Sequence, residues 1–201
     1  VYDERKFITS YFSKRAISKN ESILISVTTR DDATKLSYEL RELVSSFTLF
    51  DNDLIENLNK NQQKYNEVIN QIKLIEPELP EFAQQLISIL KFGIVYHHAG
   101  LPIKYRKIIE NAIKKNSVDI VVATPTLDAG MNLPIKTVLF FNPKYYDGHM
   151  WHVLENRRYR NVAGRAGRPG YHRKANVIVI ATNRKDFRNF RNKFWYSDLE
   201  P

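Results

Sequence analysis

The chain has no cysteine, which excludes disulfides and thiolate metal sites and fits a reducing compartment. It also has no glycine before Gly93. All seven glycines fall between Gly93 and Gly170, so the halves are built differently, the first rich in helix and the second in loops. No apolar run approaches the roughly 18–20 residues that cross a bilayer. The opening "VYDERKFITSYFSKR" lacks the apolar core of a signal peptide. These absences point to an intracellular protein with no membrane partner. There is no initiator methionine and the chain stops at "SDLEP", as expected for a piece of a longer polypeptide.

At 201 residues the chain can bury one sizeable α/β core, with room for an insert. A hydrophobic share of 43% and a charged share of 26% are ordinary for a globular domain and argue against disorder. The formal charge of +9 favours a polyanionic partner such as nucleic acid, the competing reading being a basic solvated surface.

Periodicity divides the chain. Residues 1–20 read as an N-terminal linker or extension, residues 21–183 as the main domain with a helical insert at 51–92, and residues 184–201 as a basic, aromatic helix leading to a following domain. "SILISV" (22–27) is a buried strand by composition. Behind it Ala33, Leu36, Leu40 and Leu43 recur at helical spacing, with Thr29 and Asp31 as capping candidates. In the insert, Pro77 and Pro80 separate two helical stretches, the second carrying Phe82, Leu86, Ile89 and Leu90 on one stripe. "GIVYHHAGLP" is a strand entering a loop. The helix after it places Tyr105, Ile108, Ile109 and Ala112 on one face.

"VDIVVAT" (118–124), "KTVLFFN" (136–142) and "ANVIVIAT" (175–182) are further strands apolar throughout. Such strands alternating with helices imply a parallel sheet covered on both faces. Ligands of these sheets sit beyond the carboxyl ends of the strands. The polar motifs fall there: "TTR", "HHAG" and "TPTLDAGMN" follow the first three strands, and "GRAGRPG" precedes the last.

In that last segment, "NVAGRAGRPGYH", two arginines stand three residues apart among three glycines. Arginine keeps its charge and its planar fork matches phosphate oxygens, while glycine lets a ligand or backbone approach closely. An arginine pair holding surface carboxylates is the plainer alternative. Adjacent His97 and His98 point to opposite faces of an extended segment, so no metal site is expected. The "HHAGLP" loop instead leads into a helix near Pro102, whose N-terminal amides suit a phosphate. His149 and His152 lie at a helical spacing and read as surface residues. In "NRKDFRNFRNKFWY", Arg184, Arg188 and Arg191 share one helical face and Phe187, Phe190 and Phe194 another. This reads as a docked terminal helix with a basic outer face, or else as a nucleic-acid contact or a surface for a following domain, with Trp195 at the junction.

Four segments in order, "ILISVTTRDDA", "YHHAGLPIKYR", "VVATPTLDAGMNLP" and "NVAGRAGRPG", resemble motif IV, the segment following it, motif V and motif VI of the second RecA-like domain of superfamily 2 helicases. The resemblance is to the DExH branch that contains archaeal repair helicases and exosome-associated RNA helicases, and it covers residues 20–182. It implies an α/β, RecA-like parallel sheet sandwiched by helices, with a helical insert. It implies, too, that ATP is clamped between this domain and a first RecA-like domain, which supplies the phosphate loop and the Mg2+ site. By the resemblance, Arg165 and Arg168 are arginine fingers, stabilising charge in phosphoryl transfer. Gly164 and Gly167 keep their turn slim, and Gly130, Asn132, Asn161 and Gly164 face the nucleotide. Thr28, Arg30, His98, Gly100, Thr124 and Thr126 would grip the phosphates of single-stranded DNA or RNA.

The chain departs from the family pattern in three places. It has no GxxxxGK[ST] loop and no DExH tetrapeptide, so it is expected not to turn over ATP alone. Asn161 stands where the family commonly has glutamine, and the usual glycine before the last strand is replaced within "RKAN". A binding or regulatory module that keeps the fold without turnover is the alternative to a motor.

Overall fold

The computed structural model describes residues 2–125, 127, 133–167 and 174–194, with the backbone alone of Tyr146. Four strands, β1 (Ile23–Ser26), β2 (Ile94–His97), β3 (Ile120–Ala123) and β4 (Thr137–Phe140), join a fifth, Asn176–Val179, in one parallel sheet. Two short strands, β5 (Lys144–Tyr146) and β6 (Trp151–Val153), form a separate antiparallel hairpin, making the fifth sheet strand β7. The sheet order is β2-β3-β1-β4-β7. Every residue of β1 to β4 is buried, so both faces of the sheet are covered, as uniformly apolar strands require. The expected α/β, RecA-like parallel sheet covered by helices is the fold observed.

Seven helices surround it among the described residues. Helix α1 (Tyr2–Ser18) occupies the expected linker and packs on α2 (Arg30–Phe47) and α3 (Asn52–Lys73). Its buried face is Arg5, Thr9, Ser10, Ser13, Ala16 and Ile17, whereas Phe7 and Tyr11 are exposed. Small hydroxyl residues can line a close helix contact because they return their protons to their own helix: Thr9 Oγ1 donates to the Arg5 carbonyl at 2.7 Å and Ser10 Oγ to that of Phe7 at 2.8 Å. Helix α2 starts at a capping box, the Thr29 hydroxyl accepting from the Asp32 amide at 3.0 Å and the Asp32 carboxylate accepting from the Thr29 amide at 3.3 Å. Its buried stripe is Ala33, Leu36, Leu40 and Val44, so the last core position is Val44 and the expected Leu43 lies half-buried beside it.

The insert is two helices, α3 and α4 (Glu81–Leu90), with Pro77 and Pro80 in the connection. Leu86, Ile89 and Leu90 are fully buried as the stripe predicts, and Phe82 packs edge-on to Tyr105 of α5 (Ile103–Lys114). The second half holds α6 (Asn156–Ala163) and α7 (Arg184–Phe194). On α7, Phe190 and Phe194 are buried but Phe187 is 54% exposed. The third inward position is Asp186, one residue earlier, which faces Lys144.

The insert is bolted to the sheet by a buried polar pair. The Tyr65 hydroxyl of α3 donates to the Asp119 carboxylate just before β3. Gly93, at φ +70, permits this: a Cβ there would lie 2.7 Å from the Tyr65 oxygen and 2.9 Å from an Asp119 oxygen. Burial pushes the Asp119 pKa above its ordinary value of 3.8, against the opposing hydrogen bond from Tyr65. A carboxyl that holds its proton more tightly in the fold favours folding below its unfolded pKa and penalises it as pH rises through the raised value. Asp119→Asn removes that penalty and keeps an acceptor for Tyr65. Urea unfolding is therefore expected to find the variant at least as stable as wild type at pH 7, with any advantage shrinking towards pH 4. A deficit at pH 7 that does not change with pH would contradict this.

Candidate functional site

Parallel register brings β1, β2, β3 and β4 to their carboxyl ends at one level, at Ser26, His97, Ala123 and Phe140. Just beyond lies a cleft of about 460 Å³, lined by Thr28, Arg30, Thr124, Lys144, Tyr145 and Arg158 among others. Three of the expected strand-binding residues thus share one wall, and His98 and Gly100 flank it through Arg30. A Cβ on Gly100 would sit 3.0 Å from Arg30 Nη1 and 3.1 Å from His98 Nδ1, so both side chains lie close against the glycine.

The two histidines divide as an extended segment dictates. His97 is 2% exposed, and its Nε2 donates to Glu110 of α5 at 2.9 Å. Burial holds its pKa below the usual histidine value. His98 stacks on Tyr96 with ring centroids 5.5 Å apart, and its Nδ1 accepts from the Gly100 amide at 3.1 Å. Burial, then the neighbouring Arg30 charge, lower its pKa as well. A neutral ring accepting at Nδ1 carries its proton on Nε2, leaving that N–H as a donor. Beyond the loop, Pro102 precedes α5 with no side-chain cap on the first turn, so the helix start keeps amides for an anion. Among the described residues no group of three or more His, Asp or Glu side chains is placed to hold a metal ion.

Thr28 is used differently from expectation. Its hydroxyl donates to the Lys144 carbonyl at 2.8 Å and reaches that of Asn142 at 3.3 Å. A hydroxyl has one proton, so while this fork stands Thr28 fastens β1 to the start of β5 and has none for a phosphate. Thr124 is 7% exposed, and its amide donates to the His97 carbonyl at 3.2 Å. Thr126 lies outside the described residues.

Sequence reasoning missed three members of the wall. Lys144 and Tyr145 belong to β5. Arg158 of α6 places its guanidinium 5.7 Å from the Tyr145 ring centroid, and the ring also stacks on His152 at 5.4 Å. His149 and His152 are not on a helix: the hairpin turn is closed by Asp147, which accepts from the His149 and Met150 amides at 2.8 Å and from His152 Nε2 at 2.6 Å. Those two amides, then His152, hold the Asp147 carboxyl at a pKa of about 2. Met150 and Trp151 at the tip are exposed.

The arginine-rich segment leaves α6 through Gly164, which ends the helix with its amide donating to Arg160 at 2.8 Å. Asn161 is on the exposed side of α6. Arg165 is 3% exposed and its Nη2 donates to the Leu127 carbonyl, so it ties this segment to the one after β3. Its guanidinium is enclosed and does not project outward. Arg168, Gly130 and Asn132 lie outside the described residues, as does Trp195.

The next turn is docked by backbone. Ala166 bridges Ile135, and the Gly167 amide donates to the Ile135 carbonyl at 2.9 Å. Gly167 has φ +67, and a Cβ on it would stand 2.3 Å from that of Ala175.

The comparisons with known proteins agree with the fold. The model of the helicase conserved C-terminal domain matches residues 51–170. The chain belongs to this family. It is 40% identical over 98 residues to the ATP-dependent DNA helicase Hel308 of Aeropyrum pernix, covering 49% of this chain and 13% of that protein. The Hel308 of Thermoplasma volcanium is 33% identical over 132 residues, 66% of this chain and 20% of its own length. The ATP-dependent RNA helicase mtr4 of Schizosaccharomyces pombe is 31% identical over 122 residues, 61% and 11% respectively. The kinship with the archaeal repair and exosome-associated branch of superfamily 2 therefore holds, and the chain spans between 11% and 20% of these three relatives. Among the described residues no helix is long and apolar enough to cross a membrane.

The double constraint at Gly167 gives a test of this helicase domain's arginine-bearing turn. Gly167→Ala is expected to cost about 1–3 kcal/mol from backbone strain and collision together. Adding Ala175→Gly removes the collision and leaves the strain, so thermal melts should show partial recovery. Full recovery, or no initial loss, would contradict the assigned turn.

Proposed function

We propose that this chain is the second motor domain of an ATP-dependent nucleic-acid helicase or translocase. The observation that carries the reading is the convergence of Arg30, Thr124, Lys144, Tyr145 and Arg158 on one basic cleft beyond the strand ends, with His98 and Gly100 beside Arg30 at its edge. Cations and N–H donors suit the phosphates of a single strand, and Tyr145 offers a stacking surface. Contacts of this kind are mainly to the backbone, so binding is largely independent of sequence and weakens with salt. The exposed Met150 and Trp151 of the hairpin extend the apolar surface available to an unpaired base.

ATP and Mg2+ would be held chiefly by a first RecA-like domain, in the same polypeptide, that carries the phosphate loop. This chain's part is to bring positive charge to the γ-phosphate. Arg168 is the proposed finger. Arg165, expected as its companion, acts through its tie to Leu127 by coupling the arginine-bearing turn to the strand-end segment of Thr124. Asn161 and Gly164, with Gly130 and Asn132, belong to the nucleotide side. Closure of the two domains tightens the grip on the strand, and hydrolysis relaxes it. On this reading the isolated domain does not turn over ATP. Enclosure of Arg165 favours a second reading, a strand-binding or regulatory module with the same fold and no turnover.

ATPase assays on the whole protein, with and without single-stranded DNA or RNA, separate the two. A nucleic acid should stimulate turnover, and Arg168→Ala should lower the stimulated rate by roughly a thousandfold while strand binding persists. Absence of stimulated turnover in wild type, or indifference to the substitution, would replace the motor with the binding module.

A further inference from the structure

Lys144 stands at the wall of the cleft with its backbone fastened by Thr28. Its ammonium, however, is bonded to Asp186 Oδ1 of α7 at 2.7 Å. Asp186 is 5% exposed, and its second oxygen accepts from Asn183 Nδ2 at 3.2 Å. A carboxylate this enclosed needs a counter-charge. A second cation is near it without pairing with it among the described residues: Arg5 of α1 is itself buried, feels the Asp186 charge, and has no hydrogen-bond partner for its Nε. Lys144 thus lines the cleft while its ammonium is held on α7 by the buried carboxylate, so the phosphate of a strand in the cleft would compete with Asp186 for it.

Resting on the strand-binding reading above, we infer that Lys144 is a strand-phosphate contact withheld by Asp186, passing from carboxylate to phosphate as the strand binds while Arg5 stays to neutralise the carboxylate. Helix α7 does not depend on the ion pair to remain docked. Phe190 and Phe194 are buried, and Phe194 stacks on Tyr159 with centroids 4.0 Å apart. Were the pair a static brace, Asp186 would help strand binding. As a competitor for the lysine it opposes binding, and the two roles differ in sign.

The test is fluorescence anisotropy of the whole protein with labelled single-stranded oligothymidine and oligouridine across a salt series. Asp186→Asn is expected to bind about fivefold more tightly, the worth of releasing one partly exposed ion pair. Lys144→Gln should bind more weakly and lower the slope of log K against log salt by about one. Arg5→Gln should also weaken binding, because the lysine is then held harder, and the Arg5→Gln, Asp186→Asn double variant should return to the level of Asp186→Asn alone. A brace would show no such rescue. Weaker binding by Asp186→Asn at an unchanged Tm, or a double variant that stays weak, overturns the exchange. If Asp186→Asn does not fold, the other two single variants decide: an unchanged slope for the first or unchanged affinity for the second overturns it. Arg30→Ala serves as the control for the underlying reading. If it leaves wild-type affinity and slope untouched, the cleft does not bind the strand; if it lowers both while Asp186→Asn fails to tighten binding, only the exchange is lost.

Discussion

Backbone hydrogen bonding across the parallel sheet decides where this domain can do chemistry. Ile25 pairs with Val122 and Leu139, and Tyr96 with Val122. With both faces of β1 to β4 buried, a polar side chain within these strands must find a protein partner, as His97 does in Glu110. Polar function is thus pushed to the strand ends, and register makes those ends coincide. Thr28, His98, Thr124 and Asn142 emerge together because the apolar residues before them are locked side by side.

The same constraint explains how the arginine-bearing segment is coupled to the cleft. It leaves α6, returns past Ile135 through the Ala166 bridge and the Gly167 amide, and is tied by Arg165 to Leu127. Leu127 lies three residues after Thr124, its amide donating to the Thr124 carbonyl at 3.2 Å. A short chain of contacts, the Arg165 side chain among them, thus joins Thr124 to the turn at Gly167. The insert, bolted by Tyr65 to Asp119 at the amino end of β3, stands clear of these contacts.

The strands of the main sheet and the helices between them were legible in the sequence because uninterrupted apolar runs and 3.6-residue stripes have few other solutions. The hairpin was not. Its strands have three residues each, and "WHV" is exposed or half-buried, so neither alternation nor apolarity marks them. The histidine spacing suggested a helix in its place. Helix α1 escaped because its pattern is inverted, with Ser and Thr inward and Phe7 and Tyr11 outward. On α7, Phe187 took the core position that the structure gives to Asp186, since nothing local reveals a carboxylate whose partner lies 42 residues away. At the site, the residues at strand ends were placed by the motifs. Lys144, Tyr145 and Arg158 were missed because they come from the hairpin and from α6, although "KYY" directly after "FFNP" and the basic "RRYR" were signals that could have found them. The motif alone could not separate an enclosed Arg165 from an outward one.

The central claim is that the carboxyl edge of the sheet is the surface that meets the strand. Hydrogen exchange of the whole protein with and without single-stranded nucleic acid tests it most directly. The account predicts slowed exchange in the segments 28–30, 98–104 and 124–127, at the strand ends and the start of α5, with the connection between α3 and α4 unchanged. Protection confined to that connection or to the β7 edge, with the strand-end amides unaffected, would contradict it.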